Sequence, residues 1–284
     1  MAALQSFGTA IGAVKRNPIL FVIAAAFSLL QLPGLVAQSV SPFLGSIVSL
    51  GFSGIMIFIM PFFFGGVIGM ANEAIGGHTS FETLIREGKS HYVSLLVIYL
   101  GLFALNLVFG LLGVFTAAFG GAYILSSGAQ PSLVTIAVIG VIVLAIVVVY
   151  LAAVFFTQFF GHAIVIDDLG AVDGLKRSVS CVWNNLLSVF GYTILVTIGG
   201  GVFGIIGGLF SLLTSPTFQN QGASMTSAGA GSAATPFPVN IPSIGIVGVV
   251  GLAVVLLVFS GFFGGFFAAY STAFYRSIRP ARMN

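Results

Sequence analysis

Two patterns of hydrophobic and polar positions alternate along the chain. Long stretches without a single charge run from Asn17 to Asn72, Tyr92 to Ile166 and Ser178 to Tyr275. Short segments between and before them carry charge on one helical face and apolar side chains on another. A membrane crossing takes about 20 apolar residues as a helix, so each long stretch is long enough to cross twice. The pattern predicts six spans, near Pro18–Ala37, Leu44–Met70, Tyr92–Phe115, Leu133–Ile166, Leu186–Leu213 and Ile244–Phe274. Several exceed the minimum, which predicts tilt or continuation beyond the bilayer.

The short segments read as amphipathic helices. Leu4, Phe7, Ile11 and Val14 share one face, as do Phe81, Leu84 and Ile85. Leu169, Val172, Leu175, Val179 and Val182 repeat the pattern before the fifth span. Thr79 and Glu82 have capping-box spacing, and Asp168 is placed to cap the third helix. Glu82–Arg86 and Asp173–Arg177 have the favourable i,i+4 order for ion pairs. Such helices are expected to lie in the membrane interface, with Tyr92 and Trp183 as aromatic anchors.

Composition narrows the class. Of 284 residues, 58% are hydrophobic and 5% are charged, where a soluble domain averages about 25% charged. A water-soluble globular enzyme and a disordered chain are both excluded, leaving an integral membrane protein. The basic residues form four clusters: Lys15 and Arg16; Arg86 and Lys89; Lys176 and Arg177; Arg276, Arg279 and Arg282. The acids Glu73, Glu82, Glu87, Asp167, Asp168 and Asp173 lie in or near the same clusters. Two crossings per stretch bring every charge to one side, and the positive-inside rule makes that side cytoplasmic, with both termini. A cleaved signal peptide is the competing reading of Lys15 and Arg16, but the apolar run to Ala37 is longer than a signal's core.

The ends of the even-numbered spans look alike: residues 63–71 read FFGGVIGMA, 155–163 FFTQFFGHA and 262–270 FFGGFFAAY. Ser6-Phe7-Gly8-Thr9-Ala10-Ile11 also matches Ser80-Phe81-Glu82-Thr83-Leu84-Ile85, and the same offset places Lys15 on Lys89. Asn184 and Asn185 precede span five much as Asn17 precedes span one. The fold expected is all-α, a polytopic helix bundle of six transmembrane helices arranged as three hairpin repeats with cytoplasmic interfacial helices. It is a single membrane domain over 1–284, with units near 1–78, 79–168 and 169–284. Residues 214–243 carry no charge and are rich in Ser, Thr, Ala, Gly and Pro, as a flexible outer loop would be. Pro33, Pro42 and Pro61 are candidate kinks or helix ends. Gly200, Gly204 and Gly208 line up one turn apart, and Gly65–Gly69 and Gly261–Gly265 repeat the spacing, which suits close helix contact within the chain.

A search for chemistry returns little. Cys181 is the sole cysteine, so an intramolecular disulfide and a cysteine metal cluster are excluded. Asp173-Gly174-Leu175-Lys176-Arg177 matches the start of the CDP-alcohol phosphotransferase motif, but no acid follows Asp173 to hold that family's metals. Glu73, His78, Glu82, Glu87 and His91 form the densest set of potential ligands for a divalent metal, but spacing alone carries little weight and a solvated charged connection is the preferred reading. His162 is the sole histidine inside a predicted span, five residues from Asp167, and reads as a neutral, interface-facing side chain. Asn106, Thr157 and Gln158 are polar groups within spans, suited equally to interhelical hydrogen bonds and to contact with a substrate. No acid falls near the midplane, which weakens an ion-coupled transport reading. No catalytic, cofactor-binding or metal residue is assigned, and no cofactor is expected.

Residues 69–96, GMANEAIGGHTSFETLIREGKSHYVSLL, and 163–195, AIVIDDLGAVDGLKRSVSCVWNNLLSVFGYTIL, carry a resemblance together with AFYRSIRP near the end. They resemble uncharacterised archaeal, especially haloarchaeal, six-span membrane proteins, which are similar to the membrane-anchor domain attached to some glycerophosphoryl diester phosphodiesterases. The catalytic domain of those enzymes is soluble and acid-rich, so the resemblance brings no catalytic residue to this chain. The reading is a non-enzymatic protein of the plasma membrane, a scaffold or an assembly or transport-associated component. The alternative is a transporter or channel for a small or lipophilic solute. Its partners are the lipid bilayer and either further copies of itself or another membrane protein, with no nucleic acid.

Overall fold

The computed structural model describes residues 2–30, 42–126, 132–214 and 246–279. They form helices and no strand among the described residues: α1 Ala2–Arg16, α2 Ile19–Leu29, α3 Pro42–Gly76, α4 Phe81–Ser90, α5 Tyr92–Ser126, α6 Leu133–Thr157, α7 Phe160–Asp167, α8 Ala171–Asn184, α9 Leu186–Thr214 and α10 Ile246–Ile278. The all-α bundle expected from the sequence is thus the fold observed. Pro33 and all but the first residue of the 214–243 loop lie outside the described residues.

Four helical stretches are long and apolar enough to cross a membrane: Ser46–Gly76, Tyr92–Phe119, Leu133–Asp167 and Leu257–Ile278. The number rises to six when each bent pair, α1 with α2 and α8 with α9, counts as one span. These helices make the protein membrane-embedded. At about 1.5 Å per residue, the 35-residue helices α3 and α5 extend past a hydrocarbon layer of about 30 Å. The end of α3 and the start of α5 lie beside the charged segment Glu73–Lys89.

That end holds the core. The principal buried cluster joins Ala10, Ala13 and Val14 of α1, Leu20 and Ile23 of α2, Met70 of α3, Cys181 and Val182 of α8, Val189 and Tyr192 of α9, and Tyr270, Phe274 and Tyr275 of α10. Away from it the helices separate. Of the four long apolar stretches, the one in α10 is 39% buried within the chain and the others 11% or less, so most apolar side chains are left to face lipid.

Helix α10 is the best packed because its glycines meet small residues. A Cβ on Gly261 would stand 2.8 Å from Ala25 Cβ and 2.9 Å from the Phe21 carbonyl oxygen, and one on Gly265 3.0 Å from the Leu20 carbonyl carbon. Gly65, Gly66 and Gly69 of α3 make the same close approach to Leu84, Glu87 and Leu95. The third stripe differs. A Cβ on Gly200, Gly204 or Gly208 meets no described atom within 4 Å. The expected intrachain packing of that face is not observed; Gly199 makes the contact instead, against Phe267. A four-residue spacing marks a smooth face, and the helix's rotation decides what it touches.

Local expectations also need correction. Ser80, not Thr79, precedes α4, and its side chain caps nothing. Gly170 precedes α8, while Asp168 ends α7 in the left-handed region with φ 55°. Asp tolerates that region better than most residues, and it turns the chain from α7 into α8. Pro61 is accommodated inside α3.

Candidate functional site

The polar side chains that sequence reading scattered are gathered at the charged end, where each joins two or three helices. Asp167, the last residue of α7, is buried and forms the hub. Tyr275 Oη of α10 donates to its Oδ2 at 2.6 Å, and Arg279 Nη1 donates to Oδ1 at 3.0 Å. Arg177 Nε of α8 lies 3.5 Å from Oδ2. The favoured partner of Arg177 is therefore not Asp173, as the i,i+4 spacing suggested, but a buried carboxylate from another helix. Asp173 pairs with Lys176 instead, at 3.8 Å on the surface. Likewise Arg86 pairs with Glu87 at 3.1 Å rather than with Glu82. A buried acid wins because it has no water to fall back on. Burial alone would lower the Arg177 guanidinium, but the Asp167 carboxylate beside it raises it above its ordinary value. Burial pushes the Cys181 thiol up, against the pull of Arg177.

Two of the short helices join their following spans through an elbow. The α1–α2 pair bends by 86° and the α8–α9 pair by 101°. Asn17 sits in the first elbow, buried; its Nδ2 donates to the Ala13 carbonyl at 3.0 Å and the Gly77 carbonyl at 2.9 Å, and its Oδ1 accepts from Thr79 N–H at 2.9 Å. Asn185 sits in the other; its Nδ2 donates to the Cys181 carbonyl at 3.0 Å and the Ile278 carbonyl at 3.2 Å. His91 lies between α4 and α5, with Nδ1 3.2 Å from the Glu87 carbonyl and Nε2 3.3 Å from Asp168 Oδ1. All three reach the carbonyl four residues earlier and the far end of a later helix. We expect Asn17→Ala to lower the melting temperature of the detergent-solubilised protein. It leaves the Gly77 carbonyl and the Thr79 N–H without a partner, at about 1–3 kcal/mol per buried group; an unchanged melting temperature would refute the role.

The candidate metal ligands do not converge. Glu73 accepts from the Thr79 and Thr83 hydroxyls, Glu87 pairs with Arg86 and His91, and His78 and Glu82 are exposed. Among the described residues no three His, Cys, Asp or Glu come close enough to hold a metal.

The His162 side chain does not face outward, as an interface-facing residue would, but is buried in an aromatic nest. Its ring lies 5.9 Å from Phe159 and 5.7 Å from Tyr275, and Nε2 is 3.1 Å from Ser271 Oγ. Tyr192 stacks on Phe274 at 4.4 Å and lies 5.2 Å from Tyr270 and 5.3 Å from Phe159. This ring-to-ring packing fills the meeting point of α7, α9 and α10. Ser178, overlooked in the sequence, mends the break between α6 and α7: its Oγ accepts from Phe159 N–H at 3.1 Å and donates to the Phe156 carbonyl at 2.9 Å. Only its position in α8, opposite the apolar exposed face, could have singled it out.

Among the polar groups within spans, Asn106 and Gln158 make interhelical hydrogen bonds, the first of their two expected uses. Tyr150 Oη donates to Asn106 Oδ1 at 2.9 Å between α6 and α5, and Thr193 Oγ1 donates to Gln158 Oε1 at 3.3 Å. Thr157 instead bonds its own helix, at the Ala153 carbonyl. The Asn106–Tyr150 pair lies in a groove of about 590 Å³ between α5 and α6, otherwise lined by apolar and small residues. A second hollow, of about 410 Å³, lies over Asp167, Lys176 and Arg177.

Residues 1–278 match the profile of a family described as Domain of unknown function (DUF7847), and the chain belongs to that family. No curated protein and no solved structure matches the chain.

Proposed function

We propose that this member of the DUF7847 family is a non-enzymatic membrane scaffold, or an assembly or transport-associated component, of the plasma membrane. The observation that carries the reading is the interior where its helices meet. Phe159, His162, Tyr192, Tyr270, Phe274 and Tyr275 pack ring against ring, which supports a stop rather than a pathway. Around it, buried acid, guanidinium and amide groups are used to join helices. The topology proposed is six crossings with both termini and all charges cytoplasmic. The resemblance to haloarchaeal six-span proteins and to phosphodiesterase membrane anchors belongs to the same proposal, since an anchor domain also works by holding helices in lipid.

The internal repeat is part of this reading, and three features support it. Asn17, His91 and Asn185 stand between a short helix and its following span, and each reaches the carbonyl four residues earlier. Helix α3 packs on α4, α7 on α8, and α10 returns to pack on α1, as a closed ring of three hairpins would. At about 100° per residue, α1, α4 and α8 each present buried, apolar exposed and polar faces in the same rotational order.

The groove holding Asn106 and Tyr150 is the observation that favours the second reading, a transporter for a lipophilic solute. Reconstitution separates the two. Vesicles containing the protein and a potassium gradient are expected to dissipate it no faster than protein-free vesicles. The same holds for vesicles loaded with a lipophilic dye. A flux that rises with protein and saturates with solute would discard the scaffold reading.

A further inference from the structure

The chain uses its two kinds of cation differently. Six arginines match six acids in number, and the three lysines, Lys15, Lys89 and Lys176, account for the net charge of +3. Every described arginine is turned onto protein. Arg16 reaches the Ala74 and Ile75 carbonyls, Arg86 pairs with Glu87, Arg177 and Arg279 hold Asp167, and Arg276 reaches Asn72. The lysines are exposed. Among the described residues Lys15 and Lys89 make no ion pair or hydrogen bond, and Lys176 has the solvent-facing Asp173 at 3.8 Å.

Each lysine stands on a different short helix, at the edge of its apolar exposed stripe. On α8 the stripe is Val172, Lys176, Val179 and Trp183, at helical steps of four, three and four. On α1 the same steps give Leu4, Gly8, Ile11 and Lys15, and on α4 Phe81, Ile85 and Lys89 align. Packing shows which way two stripes point. Phe7, beside the α1 stripe, lies 5.0 Å from Phe266, three turns inside α10, and Trp183 lies 5.7 Å from Phe156 near the end of α6. Both contacts are on the lipid side of the elbows. A lysine at such an edge can extend its apolar stem along the stripe and leave its ammonium at headgroup depth.

We infer that Lys15, Lys89 and Lys176 bind the phosphates of anionic phospholipids in the leaflet on the charged side, one lysine per interfacial helix. Charge complementarity selects the occupant: three exposed cations border apolar stripes, Lys15 and Lys89 without a described protein partner and Lys176 with a surface acid alone, whereas every described arginine is held against protein acceptors. A compact, hydrated ammonium suits an exchanging headgroup, whereas the planar guanidinium suits fixed carboxylates and carbonyls. The inference rests on the reading that α1, α4 and α8 lie in the membrane interface.

Trp183, the single tryptophan, is on the same stripe as Lys176 and reports on it. The protein is reconstituted in one mixture of phosphatidylglycerol and phosphatidylcholine, with brominated acyl chains placed on either lipid in turn. Bromine on phosphatidylglycerol is expected to quench Trp183 as if that lipid were enriched locally about fivefold, the effect of one basic residue near an anionic surface. Lys176→Gln should bring the two quenching curves together, while Lys176→Arg and wild type keep them apart; high salt should narrow the gap. Equal quenching by both lipids in wild type overturns the lipid preference alone. No quenching by either puts α8 outside the interface and overturns the interfacial reading with it.

Discussion

Asp167→Ala is expected to lower stability by about 2–3 kcal/mol and to loosen the contact between α7, α8 and α10. Removing one partner of a fully buried ion pair costs about 3–5 kcal/mol. The smaller figure applies because the Arg177 and Arg279 side chains are 25% and 35% exposed and recover some hydration. The Tyr275 hydroxyl, which donates to the same carboxylate at 2.6 Å, also loses its acceptor. Asp167→Asn should fall between wild type and alanine, since it keeps an acceptor but not the charge. Asp173→Asn is the control: its carboxylate is 70% exposed and its pair with Lys176 is a surface contact, worth about 0–1 kcal/mol. Thermal unfolding in one detergent compares the set. Equal melting temperatures for Asp167→Ala and Asp173→Asn would show that the hub carries no weight.

The second large effect is expected at a glycine. Gly261→Leu should destabilise by at least about 1–3 kcal/mol, because its Cβ would already crowd Ala25 and the Phe21 carbonyl of α2. Backbone is the obstacle, so the two helices must move apart. Gly204→Leu should be neutral or slightly stabilising: no described atom lies within 4 Å of its Cβ, and leucine is the better helix former. The pair is measured by the same unfolding assay. A harmless Gly261→Leu, or a Gly204→Leu that unfolds the protein, would reverse the assignment of the packed face.

These two cases mark how far the sequence can be read. The layout was legible because burial of charge in lipid is so costly that charge positions map the membrane. Uncharged stretches therefore predicted α9 and α10 to within four residues and the first residue of α5 and α6, while α5 runs on to Ser126 and α6 breaks at Thr157; the amphipathic segments marked α1, α4 and α8. The equivalence of Asn17 and Asn185 was visible too, since both precede a long apolar run. What a span touches was not legible. Gly65–Gly69, Gly200–Gly204 and Gly261–Gly265 share one spacing, and the rotation that exposes the middle pair is set by neighbours distant in sequence. Asp167 shows the same limit: its acceptors are filled from residues 108 and 112 positions away, so local spacing favoured the wrong acid for Arg177. His162 was read as interface-facing from its distance to Asp167, whereas its surroundings come from α3 and α10, distant in sequence.

Everything proposed about function rests on three hairpins bringing all the charge to the cytoplasmic side. Cysteine accessibility tests that arrangement most directly. In a Cys181→Ser background, Ser132→Cys at the start of α6 and Lys89→Cys at the end of α4 lie at opposite ends of the second hairpin. An impermeant maleimide added to intact cells should label the first and leave the second unlabelled until the membrane is opened. Labelling of Lys89→Cys from outside would contradict the account.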